Sequence, residues 1–163
     1  MRYHNITKDD MLNGEGLRTV LWVAGCSHHC PQCHNPVTWD INGGLVFDEQ
    51  AKEELFEELK KDYVSGVTFS GGDPFHLENR EEIGALAKEI REKFPDKTIW
   101  LYIGYEWEEI CHLSFLSNID VIVDGKFKIE EKDNNLHWKG SANQRVIDVK
   151  ASLRAGEVRL YQE

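Results

Sequence analysis

The chain has 163 residues, 40% of them hydrophobic and 10% aromatic, with 19 basic against 29 acidic side chains and a formal net charge of −10. This length holds a substantial core in one domain spanning residues 1–163, and the composition excludes an intrinsically disordered chain. The acidic balance argues against nucleic-acid binding, which rests on Lys and Arg neutralising phosphates, and against docking on an anionic membrane surface.

Residues 1–5 open no signal-like apolar region, and no apolar stretch approaches the roughly 20 residues that span a bilayer. Of the four cysteines, three crowd into eight residues, a pattern unlike a disulfide scaffold. A soluble, cytoplasmic protein of a reducing compartment is expected.

Strand-like and helix-like segments alternate. Thr19-Val20-Leu21-Trp22-Val23-Ala24 is a short apolar run, as in a buried strand. Residues 48–61 form an expected helix, with Asp48 as N-cap and Ala51, Leu55 and Leu59 on one face. Residues 66–70 give the next strand, which ends in Gly71-Gly72-Asp73-Pro74. A second helix opens at Asn79, carries the stripe Ile83, Leu86, Ala87, Ile90 and Phe94, and stops before Pro95. Strands at 98–103 and 119–123, a short helix at 106–113 and a further strand at 146–149 complete the pattern. Such alternation implies a mostly parallel sheet covered by helices. About five units are too few for a closed eight-stranded barrel, so an open, partial β/α barrel of about five to six mostly parallel strands is expected. In such folds the working face lies at the carboxyl ends of the strands.

Cys26, Cys30 and Cys33 follow the first apolar run in a CxxxCxxC triplet. Iron–sulfur clusters normally take four protein thiolates; three leave one iron open to an outside ligand, as catalytic metal sites keep a position free. A structural zinc with His28, His29 or His34 as fourth ligand is the alternative on spacing alone. The Gly71-Gly72 turn lets a ligand approach the backbone, although glycines also serve ordinary strand-to-helix turns. Segments 13–18 and 140–145 read as loops, the latter polar enough to line a substrate or partner surface. Cys111 is expected to be a small buried hydrophobe. The run Glu53, Glu54, Glu57 and Glu58 is expected to be a solvated helix face, and His4, His76, His112 and His137 are scattered.

Six segments in register resemble the radical S-adenosylmethionine (SAM) enzymes, and most closely the activating proteins of anaerobic (class III) ribonucleoside-triphosphate reductases. Asn13-Gly14-Glu15-Gly16-Leu17-Arg18 is similar to NGPGxR, with Glu15 where proline is usual. Cys33-His34-Asn35-Pro36-Val37-Thr38-Trp39 matches CxNxxTW, and Gln32 stands where many radical SAM enzymes carry an aromatic. Ser70-Gly71-Gly72-Asp73-Pro74, residues 99–105, Val123-Asp124-Gly125-Lys126-Phe127 and residues 138–145 complete the set. The resemblance implies a radical SAM type of open barrel and a [4Fe-4S] cluster on Cys26, Cys30 and Cys33. It places SAM against Gln32, Cys33, His34, Gly71, Gly72 and Asp73. It also implies reductive cleavage of SAM, a glycyl radical on the large subunit of an anaerobic ribonucleoside-triphosphate reductase, and an electron donor such as a flavodoxin. No catalytic side chain beyond cluster and SAM is implied. On this reading Gly72→Val spares the cluster and weakens SAM binding.

Overall fold

The computed structural model describes residues 1–33 and 35–162, and their strands join in one open sheet. β1 (Arg2–Asp10) runs antiparallel beside β2 (Arg18–Val23), with the two-residue β3 (Leu45–Val46) on its outer side. β2 then pairs in parallel with β4 (Gly66–Gly71), β4 with β5 (Thr98–Tyr102), and β5 with β6 (Val121–Asp124). β7 (Arg145–Asp148) closes the far edge antiparallel to β6, giving the order β3-β1-β2-β4-β5-β6-β7.

The sheet is thus a mixed one: a parallel centre with antiparallel flanks, larger than the five or six strands the periodicity indicates. β1 escapes sequence reading because its side chains are polar and half-exposed, and backbone pairing rather than an apolar run holds it. β7 returns from β6 through a loop without a crossover helix, so it meets its neighbour antiparallel.

α1 (Glu49–Leu59) begins where Asp48 accepts a hydrogen bond from the Ala51 amide, as expected of an N-cap. α2 (Arg80–Lys93) follows Asn79, whose side chain does not cap the helix; its Nδ2 donates to Ala24 O at 2.8 Å. The four-residue α3 (Trp107–Ile110) carries a capping box between Glu106 and Glu109. α4 (Val149–Ala155) opens on the Asp148 side chain and ends at Gly156, whose φ of 71° suits glycine.

Alternation along the strands sorts side chains between two faces. Leu21, Val67, Phe69, Leu101 and Ile122 belong to the main core with Leu55 and Leu59 of α1 and Ile83 and Ile90 of α2. On the opposite face Trp100, Val121 and Val123 pack with Tyr102, Trp138, Val146 and Tyr161. Arg18 is fully buried near Trp100, its guanidinium carbon 5.5 Å from that ring's centroid. Its five donors reach Thr68 Oγ1, Glu15 O, Thr98 Oγ1, Val67 O and Thr98 O at 2.8–3.0 Å, binding the β1–β2 turn to β4 and β5.

Two side-chain expectations change. Cys111 is exposed, because α3 ends at Ile110 and leaves this residue as its C-cap. Glu58 is buried rather than solvated: the turn of α1 carries it inward, and Lys61 pairs with it at 2.8 Å.

Candidate metal centre

Loops at the carboxyl ends of β2, β4, β5 and β6 surround a cavity of about 420 Å³. Every one of the six motif segments contributes to its walls: Asn13, the three cysteines with Asn35 and Trp39, Ser70 to Asp73, Tyr102 to Gly104, Gly125 to Phe127, and Trp138 to Gly140 with Gln144. The alternation that aims Leu21 and Phe69 at the helices aims Trp22, Ser70 and Tyr102 the other way, into this space.

The cysteine loop is braced by backbone before any side chain acts. Gly25 N donates to Thr38 O at 2.7 Å, Cys26 N to Trp39 O at 3.1 Å, and Asp73 N to Gly25 O at 2.7 Å. The double-glycine turn lies directly behind it. Gly71 has a φ of 109°, and a Cβ there would stand 2.5 Å from Val23 O. A Cβ on Gly72 would stand 2.6 Å from Gly25 O and 2.7 Å from Thr38 O. Both glycines therefore answer first to close backbone packing.

Asp73 is almost fully buried and ties three loops together. Its Oδ1 accepts from Phe75 N at 2.8 Å, its Oδ2 from Gly104 N at 2.9 Å, and His28 Nε2 lies 2.6 Å from the same Oδ2. His28 sits with its ring edge against Tyr105 at 4.7 Å between centroids. His29 is exposed and stacks on Trp39 at 4.4 Å.

Burial pushes the Cys26 thiol up to about 11, opposed by backbone N–H groups of His28 and His29 and reinforced by the charge of Asp73. Cys30 is raised as well, chiefly by burial, with the Phe127 backbone and the Lys126 charge pulling the other way. Cys33 Sγ accepts a hydrogen bond from Asn35 N at 3.4 Å. N–H groups aimed at sulfur favour the thiolate state that a metal ligand requires. Among the described residues no three His, Cys, Asp or Glu side chains are grouped to hold one metal ion. A cluster makes a different demand, since each thiolate takes a different iron.

Of the residues that sequence reading singled out, Cys26, Cys30, Cys33, Gly71, Gly72 and Asp73 share this cavity. Gln32 is exposed, with a φ of 55°, and is not among the lining residues; His34 lies outside the described residues. The Asp73–His28 link, Trp22, Leu12 and Leu136 escaped the motif reading, because only the fold brings them to the site. Tyr102 and Trp39 also line it, and the hydroxyl of one and the indole N–H of the other are buried with no hydrogen-bond partner among the described residues.

Fold and site define an α/β protein of the iron–sulfur class: residues 12–147 match the model of the 4Fe-4S single cluster domain. A protein of Enterobacteria phage T4 named anaerobic ribonucleoside-triphosphate reductase-activating protein is 43% identical over 146 residues, covering 90% of this chain and 93% of its own length. The protein of the same name from Escherichia coli K12 is 39% identical over 150 residues, covering 90% and 97%. That of Pasteurella multocida is 37% identical over 152 residues, covering 90% and 96%. The chain belongs to the family of anaerobic ribonucleoside-triphosphate reductase-activating proteins.

Proposed function

We propose that this chain, as one activase domain of the radical SAM type, activates an anaerobic ribonucleoside-triphosphate reductase by generating a glycyl radical on its large subunit. The observation that carries the reading is the meeting of Cys26, Cys30 and Cys33 with Gly71, Gly72 and Asp73 around one cavity. Cys26, Cys30 and Cys33 would hold a [4Fe-4S] cluster there and the glycine turn SAM, and together these would supply one-electron reductive cleavage of SAM, whose 5′-deoxyadenosyl group would leave as 5′-deoxyadenosine with a hydrogen atom from a glycine Cα of the reductase.

The donor set fits. Cys26, Cys30 and Cys33 offer soft thiolates to three irons, with N–H groups directed at the first and third sulfurs. The SAM ammonium group is a donor. From the glycine turn it would therefore need carbonyl oxygens, and the Gly72 N–H is itself committed to Val23 O at 3.0 Å. His28 has its Nε2 committed to Asp73 and is not a free zinc ligand through that atom. The single electron comes from a low-potential donor such as a flavodoxin.

The test is anaerobic purification, reconstitution with iron and sulfide, reduction, and addition of SAM with the reductase. Formation of 5′-deoxyadenosine together with a glycyl radical signal on the reductase supports the assignment. A colourless protein that holds zinc and leaves SAM intact overturns it.

A further inference from the structure

His28 stands between Cys26 and Cys30 in sequence, yet its side chain turns away from a ligand role into a buried clamp. Its ring is only 7% exposed, and the Asp73 carboxylate 2.6 Å from its Nε2 is 2% exposed. The same Oδ2 holds the Gly104 amide at 2.9 Å, so one oxygen joins the loops that follow β2, β4 and β5. The space is shaped for this ring. A Cβ on Gly104 would stand 2.6 Å from His28 Nε2, and Tyr105 closes the ring's other side edge-on. Among the described residues His28 is the side chain that hydrogen-bonds Asp73, whose other partners are the backbone amides of Phe75 and Gly104.

We infer that His28 is a positioning residue: through Asp73 it fixes the first half of the cysteine loop, and Cys26 with it, against the β4 and β5 loops before the cluster is assembled. The inference rests on the cluster reading above. The backbone bonds of Gly25 and Cys26 anchor only the start of the loop; in its middle His29 stacks, exposed, on Trp39, and His28 makes the buried hydrogen bond that ties it to the β4 and β5 loops.

The test uses the full chain, first free of metal, with iodoacetamide alkylation followed residue by residue by mass spectrometry. His28→Leu keeps apolar bulk against Gly104 but removes the donor; His28→Gln keeps a donor. Loss of one buried charge-assisted hydrogen bond predicts alkylation of Cys26 about tenfold faster in the leucine variant, with the glutamine variant within about threefold of wild type. Exposed Cys111 gives the rate of an unhindered thiol and should react unchanged, while a thermal melt of each variant reports on the rest of the fold. After reconstitution, iron loss to a chelator should follow the same order, about tenfold faster or more for leucine, as for groups that orient metal ligands. A wild-type Cys26 rate in the leucine variant overturns the inference, as does a glutamine variant no better than leucine. A Cys26 rate that rises only in step with a melting temperature lowered equally in both variants also overturns it, because the loosening is then global. Wild-type protein that takes up no iron and sulfide defeats the cluster reading instead, and the alkylation result stands without it.

Discussion

Gly72 and Gly25 touch through backbone: a methyl group on the first would stand 2.6 Å from the carbonyl oxygen of the second. The turn is therefore part of the cysteine loop's foundation as well as a candidate surface for SAM. Gly72→Val is accordingly expected to remove both cluster loading and SAM binding, contrary to the selective loss that the motif alone implies. Overpacking of this kind costs about 1–3 kcal/mol. Iron content and a thermal melt on the same preparation check it, and full iron loading in the variant contradicts the packing argument.

Cys30→Ala should abolish cluster uptake and SAM cleavage together. Cys111→Ser should change neither, since Cys111 is exposed at the end of α3 and contributes nothing to the cavity. Iron, sulfide and 5′-deoxyadenosine measured on both variants decide the ligand set.

Asn79 reaches from the start of α2 to Ala24 O at 2.8 Å in a buried setting, just before the cysteine loop. Asn79→Ala strips that carbonyl of this donor and should cost about 1–3 kcal/mol. Urea unfolding of the metal-free chain measures it, and a midpoint equal to wild type would contradict the assignment.

Arg18→Lys keeps a positive charge but cannot fork to Thr68, Val67, Thr98 and Glu15 at once. Burial lowers the Arg18 guanidinium to about 10, opposed by the charge of Asp120 and weaker ones nearby, and its donors are satisfied by five hydrogen bonds. With several acceptors left unpaired, the variant is expected to lose about 2–4 kcal/mol. Chemical denaturation gives the value; a cost near zero would mean the fork is dispensable.

Glu89 has its carboxyl held below the usual range, first by Lys93 at 2.9 Å and then by Lys52 at 3.1 Å. The lowered folded value means the stabilisation is complete above the unfolded carboxylate pKa and is lost as pH falls through the folded one. Glu89→Gln should therefore cost about 0.3–1 kcal/mol at neutral pH, with the gap closing in acid and at high salt. Parallel melts at pH 7 and pH 3 test the sign.

The parallel centre was legible in the sequence because Val20 to Val23, Val67 to Phe69 and Ile99 to Leu101 are apolar enough to announce burial. β1 was not, since Arg2, His4, Asn5, Thr7 and Lys8 carry no such signal and the strand owes its place to pairing with β2. The cysteines and the glycine turn could be identified by residue type and spacing. The inward wall formed by Trp22, Tyr102 and Trp138 could not, because strand alternation decides that Trp22 and Tyr102 face the cavity and only the fold brings the loop carrying Trp138 over it. The role of Asp73 was half legible. Its place in the turn is a matter of local sequence, but its partners His28 and Gly104 are 45 and 31 residues away.

The backbone bracing of the cysteine loop bears on the life of the protein after damage. Bonds from Gly25 to Thr38, Cys26 to Trp39 and Asp73 to Gly25 tie the start of the loop, and the His28–Asp73 pair its middle, through protein groups alone. The three cysteines proposed as ligands lie within eight residues and would staple only a short stretch of chain. Loss of a cluster to oxygen would thus leave the sheet standing and the cradle shaped, so that renewal becomes a matter of delivering iron and sulfide rather than of refolding a polypeptide.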